Sequence, residues 1–388
     1  MQTIHLKRSR RILNGHLWIF SNEISENLRQ FTPGEQVEVL DQKNTLLGTG
    51  YINPNSLISA RLLSRERLTL DREFFRQRLL EAVRFRERLV ADTEVCRMVF
   101  SEADHLPGLI VDRYGECIVV QLLTAGMEAL KETLLGLLEE ILKPGIIVLR
   151  NDSRSRLLEG LPLYKEVIKG DPEKLLPIRE NGILFEIDPL GGQKTGFFLD
   201  QRENRKAFSE LVKDGTGLDL FCYNGAWSLS LASAGAVVTG IDSSEKAVEQ
   251  AMKNAALNGL QGRAGFIVHD VFDYLKQKGQ AGSTGYDFIV CDPPAFVKSA
   301  AKIKEAVRAY TDLNAASMRM LKPGGLLATS SCSYHMKKEM FMEMLLGAAK
   351  DAGRSLRLIS LRSQAMDHPV LLAMPETEYL KCAFLVVD

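Results

Sequence analysis

The spacing of apolar residues divides the 388-residue chain into three regions. Residues 1–72 read as short extended runs broken by Gly, Pro and Asn: 37–40, a turn at 41–44, 46–51 and 57–63, with Pro54 between the last two. That pattern predicts a small β-barrel. Over 73–92 the period becomes helical, with Phe74, Phe75, Leu79, Leu80, Val83 and Leu89 set against an Arg/Glu face. Strands at 108–112, 117–122, 146–150 and 163–168 and a helix over 126–142 then predict a small α+β unit, and residues 170–174 a linker. From about 181 strands and helices alternate: strands at 216–221, 236–241, 264–269, 286–291, 325–330 and 380–387, helices at 201–213, 226–234, 244–257, 302–321 and 337–352. Such alternation predicts an α/β fold with a mostly parallel, doubly wound sheet, whose ligands sit at the carboxyl ends of the strands. The expected domains are 1–72, 73–180 and 181–388.

Composition narrows the function classes. The formal net charge is zero, so no whole-molecule attraction to a polyanion is expected; residues 1–92, with 15 Lys+Arg against 11 Asp+Glu, carry +4. Charges interrupt every apolar stretch, so neither a signal peptide nor a membrane span is expected. The six cysteines are scattered without a C-x-x-C pair, which points away from a metal site and towards a reducing, cytoplasmic setting.

Three strand ends carry acids suited to a nucleotide-type cofactor. Asp219 precedes Phe221, Asn224 and Gly225 in a strand-to-helix turn with a single glycine after the strand. A dinucleotide pyrophosphate needs a closer glycine cradle, so NAD is disfavoured. Asp242, followed by Ser243, ends the next strand where ribose hydroxyls are held, and Asp270-Val271 ends the third, where a carboxylate can take an adenine amino group. Asn254 and Asn258 close the intervening helix; Asn258-Gly259 reads equally as a helix C-cap.

Two further strand ends suggest the chemistry. Asp292-Pro293-Pro294 follows the strand at 286–291, and Ser331-Cys332-Ser333 follows the strand at 325–330. Carbon 5 of a pyrimidine is too weak a nucleophile to take a methyl group directly; a thiolate adding to carbon 6 makes it enamine-like. Asp292 can hydrogen-bond ring nitrogen 3 and the exocyclic edge while charge develops. Cys222 and Cys291 read as buried strand-end thiols.

The run Gln193–Arg202, the turn around Asp219, Asp292-Pro293-Pro294-Ala295-Phe296 and Ser331-Cys332-Ser333 resemble the bacterial ribosomal RNA large-subunit methyltransferase I family. Residues 18–24 are similar to the entry of that family's PUA domain and 100–109 to its central domain, so the resemblance spans nearly the whole chain. It implies a PUA-like barrel, a central α+β domain and a class I methyltransferase domain with a Rossmann-like sheet. It implies S-adenosyl-L-methionine as cofactor, 23S ribosomal RNA as partner and 5-methylcytosine as product, with Cys332 as nucleophile and Asp292 assisting. It implies that Phe198, Asp200 and Arg202 close over the cofactor. Lys194, Pro293, Pro294, Phe296, Arg8 and Arg11 are the candidate RNA contacts; no metal is expected, and a homodimer is left open. Many 5-methylcytosine enzymes carry a second cysteine after the Pro-Pro; Ala295 stands there, so another group must remove the carbon-5 proton. Rival readings are 5-methyluridine formation, methylation of a base nitrogen with Phe296 stacking the base, and a non-catalytic RNA-binding module.

Overall fold

The computed structural model describes residues 1–90, 94–280, 285–296 and 302–388. They form two compact units: residues 1–178, 187–199 and 366–377 in the first, and 179–186, 200–365 and 378–388 in the second. The expected domain 181–388 is therefore not one continuous body. Two of its segments, 187–199 and 366–377, pack with the first unit.

Side chains explain this interleaving. Asp112, fully buried, takes a bidentate pair from Arg97 (2.7 and 2.8 Å) and the Thr195 hydroxyl (2.6 Å). Arg150 donates to the carbonyls of Pro189 (2.9 Å) and Gly192 (3.0 Å). Asp367 accepts the Arg97 backbone N–H at 2.9 Å, and its carbonyl accepts from Arg86 at 2.9 Å. Single-chain periodicity carries no signal for such long-range bonds.

The first unit contains two five-stranded sheets. The N-terminal one runs, in spatial order, Gln2–His5, Glu35–Leu40, Leu46–Ile52, Ala60–Ser64 and Trp18–Ile19, parallel only in its first pair. Alternate residues such as Ile4, Val37, Val39 and Leu62 are fully buried in its core. The second sheet orders Tyr164–Lys169, Ile146–Asn151, Cys117–Leu122, Leu109–Tyr114 and Val95–Phe100 under the helix Arg72–Leu89. The strand Val95–Phe100 was not anticipated. Residues 91 and 92, expected in the helix, lie outside the described residues.

The second unit holds a seven-stranded sheet. Its strands, in chain order, are β1 Thr216–Leu220, β2 Val237–Asp242, β3 Ala264–Val268, β4 Tyr286–Cys291, β5 Leu321–Ser331, β6 Leu356–Arg362 and β7 Lys381–Val387. The spatial order is β3-β2-β1-β4-β5-β7-β6. The first five are parallel; β7 runs antiparallel to both β5 and β6. Helices α1 Arg202–Leu211, α2 Ala226–Ser233, α3 Glu245–Leu257, α4 Val271–Gln280, α5 Ile303–Met320 and α6 Lys338–Ala352 make the connections. Strand β6 and helix α4 were not anticipated. Strand order reverses at β1, so the edge formed by the carboxyl ends of β1, β2, β4 and β5 is the crevice expected to take a ligand.

Candidate active site

The turn after β1 is held in a conformation that side chains ordinarily avoid. Phe221 and Tyr223 have φ of 65° and 49°, and Gly225 has φ of 83°. A non-glycine residue with positive φ costs on the order of 1–3 kcal/mol and persists only where its surroundings hold it. Here they do. The backbone N–H groups of Phe221 and Cys222 donate to the Ile241 carbonyl (2.9 and 3.1 Å), and the Asp242 carboxylate accepts the Tyr223 N–H at 3.0 Å and that of Ser244 at 2.9 Å. Gly225 is required twice over: by its φ, and because a Cβ would stand 3.0 Å from the Phe266 ring.

Asparagines on α3 fasten the far side of this turn. Asn254, fully buried, donates to the Asn224 carbonyl (3.0 Å) and accepts the Glu186 N–H (2.9 Å). Asn258 accepts the Leu184 N–H and donates to its carbonyl (2.9 and 2.7 Å). Asn258 is also the C-cap of α3.

Asp219 lies beneath the turn with no exposed surface. One carboxylate oxygen takes the backbone N–H and hydroxyl of Ser228 (2.9 and 2.6 Å); the other, Oδ1, is buried without a hydrogen-bond partner among the described residues. Burial, reinforced by the nearby charges of Asp292 and Asp242, pushes this carboxyl up to about 7.

Asp292 follows β4, and Cys332 follows β5, its parallel neighbour; Cys291 is paired with Thr329, so both residues leave the same sheet edge. The carboxylate is clamped. Its Oδ1 accepts from Gln201 Nε2 and its Oδ2 from Trp227 Nε1, both at 3.0 Å. Gln201 Nε2 also reaches Ser330 Oγ (3.0 Å), and its Oε1 accepts from Asn204 (2.7 Å), which fixes the amide's orientation. Of the six cysteines only Cys332 is partly exposed. Burial pushes the thiols of Cys222, Cys291 and Cys382 up, the last to about 12. The hydroxyls of Ser331 and Ser333 each lie 3.2 Å from the Tyr310 hydroxyl, so the residues on either side of Cys332 share one anchor.

The model of a PUA-like domain family matches residues 3–65, and that of the S-adenosylmethionine-dependent methyltransferases matches residues 162–362. A protein of Shewanella amazonensis named ribosomal RNA large subunit methyltransferase I is 39% identical over 94% of both chains. One of the same name from Pseudoalteromonas atlantica is 37% identical over 98% of this chain and 97% of its own. The chain belongs to the ribosomal RNA large subunit methyltransferase I family. Among solved structures, a methyltransferase of Streptococcus mutans superposes over the full length of both chains with a TM-score of 0.84 at 22% identity. A methyltransferase complexed with SAH superposes over 99% of both, again at 0.84, with 20% identity. The fold is thus a PUA-like domain followed by an S-adenosylmethionine-dependent methyltransferase domain, and S-adenosylmethionine is the cofactor.

The sequence-predicted residues of this family member divide by place. Asp219, Phe221, Asn224, Gly225, Asp242 and Ser243 gather at the ends of β1 and β2, and Asp292, Pro293 and Cys332 at those of β4 and β5. Asp270 is exposed and caps α4, accepting the Asp273 N–H at 3.0 Å, and the Val271 side chain is buried in the core. Those two positions carry a helix start as well as a candidate contact. Asp200 accepts the Tyr379 hydroxyl at 2.7 Å, and Arg202 is buried, both in the second unit. Lys194 and Phe198 belong to the first unit, where the ammonium lies 4.3 Å from the ring centroid. Trp227 and Gln201, which hold Asp292, had no assigned role from sequence. Gln201 falls inside the Gln193–Arg202 motif; Trp227 looks like one more apolar residue of α2.

Proposed function

We propose that the protein methylates carbon 5 of a cytosine in 23S ribosomal RNA through a transient bond from Cys332 to carbon 6. The observation that carries this reading is the pairing of the single partly exposed thiol with a clamped carboxylate on adjacent parallel strand ends.

The donor set fits the cofactor. The buried, unpartnered Oδ1 of Asp219 suits a cationic amino group, and Asp242 keeps acceptor capacity for ribose hydroxyls beyond its two backbone bonds. When bound, the cofactor supplies an electrophilic methyl group. Cys332 adds as thiolate to carbon 6, so that carbon 5 gains the electron density to bond that methyl group; water or a nearby base then takes the carbon-5 proton, and the electrons of that C–H bond expel the thiolate from carbon 6. Gln201 and Trp227, each donating to one oxygen of Asp292, fix the position of its carboxyl group. A carboxyl group so placed can accept from the 4-amino group of cytosine. Phe296 lies 4.7 Å from the Tyr310 ring, centroid to centroid, and 6.0 Å from that of Phe272. A ring engaged in that cluster supports its packing role over base stacking.

The test is mass spectrometry of nucleosides from 23S rRNA after reaction, where 5-methylcytosine is expected. Cys332→Ala should abolish transfer with cofactor affinity intact, and Cys291→Ala should stay active. A fully active Cys332→Ala enzyme would move the reading to nitrogen methylation.

A further inference from the structure

Strand β7 opens with a lysine in an otherwise apolar run, Lys381-Cys382-Ala383-Phe384-Leu385-Val386-Val387. Lys381 lies directly across from Ser331, the last residue of β5. Lys381 is 6% exposed, and among the described residues it makes no ion pair. Its Nζ instead donates to two backbone carbonyls, those of Ser333 and Tyr379, each at 2.8 Å. The first belongs to the residue immediately after Cys332. A buried ammonium held only by carbonyl dipoles is costly, and ordinarily a buried cation faces an anion. Burial accordingly pulls Lys381 down to about 8, while the nearby Cys332 acts in the opposite direction, favouring its charge.

We propose that the Lys381 ammonium holds Cys332 in its thiolate form, making it a positioning residue for the nucleophile. The inference rests on the reading of Cys332 as nucleophile. On ionisation the thiol proton passes to solvent, Lys381 remains an ammonium, and no bond to carbon is yet made. The other charged groups acting on Lys381 are Lys337 and Glu378, both exposed and opposite in sign, so solvent screens two effects that already oppose each other. The Tyr310 hydroxyl, bonded to both flanking serines, is kept neutral because burial pushes it up. Among the described residues Lys381 is thus the buried positive charge beside the thiol, and Asp292, at the neighbouring strand end, acts against it. Each unit by which it lowers the thiol below the ordinary value of ~8.5 gives about tenfold more thiolate at neutral pH.

The experiment is the pH profile of iodoacetamide alkylation at Cys332, read by peptide mass spectrometry on the full chain. The native protein is expected to show a midpoint below ~8.5. Lys381→Met should raise that midpoint, slowing alkylation at pH 7 at least tenfold, and Lys381→Arg should restore most of it. A native midpoint at or above the ordinary thiol value overturns the proposal even if Lys381→Met does not fold. An unshifted midpoint in a folded Lys381→Met protein that still binds SAH overturns it as well. Alkylation is read without RNA or methyl transfer. A shifted profile alongside an active Cys332→Ala enzyme would therefore overturn the nucleophile reading while leaving the charge pair in place.

Discussion

At the scale of single residues, Asp219 ties pH to both stability and cofactor affinity. In the folded protein its carboxyl titrates at about 7, in the unfolded chain near the ordinary ~3.9. Between those values the folded state binds more protons, so stability falls as pH rises from about 4 to about 7, and this contribution is then constant. An amino group of the cofactor beside Oδ1 favours the charged carboxylate. Affinity measured by calorimetry should therefore tighten as pH rises from about 5.5 to 7, and Asp219→Asn should flatten that dependence. A slope retained in the variant would remove Asp219 from the cofactor site. Trp227 gives a second residue-level prediction. Trp227→Phe keeps an aromatic ring but deletes the indole donor to Asp292. Losing a hydrogen bond to a charged group costs about 1.5–3 kcal/mol, so kcat should fall about ten- to a hundredfold with cofactor affinity unchanged. The acids and Cys332 stood out in the sequence because each lies at or just past the end of an apolar run, beside a turn signal. Trp227 and Lys381 were not, because an indole in an apolar helix and a lysine opening an apolar strand resemble ordinary packing until tertiary contacts show what they touch.

At the scale of elements, the strained turn after β1 works as a unit with α3 and the short strand Ile183–Phe185. Its positive-φ residues are held from one side by Asp242 and from the other by Asn254, whose two bonds link the turn to Glu186. Asn254→Ala leaves the buried Asn224 carbonyl unpaired, at about 1–3 kcal/mol, and takes the acceptor from the part-buried Glu186 N–H, at about 0.5–1.5 kcal/mol. Thermal unfolding should show a loss of roughly 2–4 kcal/mol. Cofactor affinity should weaken too, although the residue lies on α3 rather than at the strand ends; unchanged affinity would show that the turn keeps its shape without it. Periodicity located β1 through β5 and β7 to within a few residues because each carries a short apolar run, and β1, β4, β5 and β7 are largely buried on both faces. It missed β6, Leu356–Arg362, because that edge strand is largely exposed and alternates leucine with arginine and serine. It missed α4 because Lys276, Gln277 and Lys278 interrupt the apolar face that Val271, Tyr274 and Leu275 bury.

At the scale of the whole molecule, zero net charge leaves RNA affinity to local faces. One such face lies on the N-terminal sheet, where Lys7, Arg8, Arg11, Phe20 and Leu57 line a cavity of about 850 Å³. Lys7 and Arg8 are exposed; Arg11 is already committed to Glu23 at 2.8 Å and lies 4.8 Å from the Phe20 ring centroid. Deleting residues 1–72 would be a poor test of this face. Glu159, 4% exposed, is satisfied by Arg61 (2.8 Å), Asn53 (2.8 Å) and Ser56 (2.7 Å), and Tyr51 donates to the Pro107 carbonyl at 2.7 Å. Truncation would strand a buried carboxylate in the neighbouring sheet's domain. Neutralising the two exposed cations leaves that packing alone. If each contacts a phosphate, Lys7→Gln with Arg8→Gln should weaken RNA binding and flatten the log-affinity against log-salt slope by about 1.4–1.8, at 0.7–0.9 per contact. Cofactor affinity should be unchanged, since Asp219 and Asp242 belong to the other unit. An unaltered slope would assign the phosphate contacts elsewhere, and the cavity would then serve the packing of the N-terminal sheet alone.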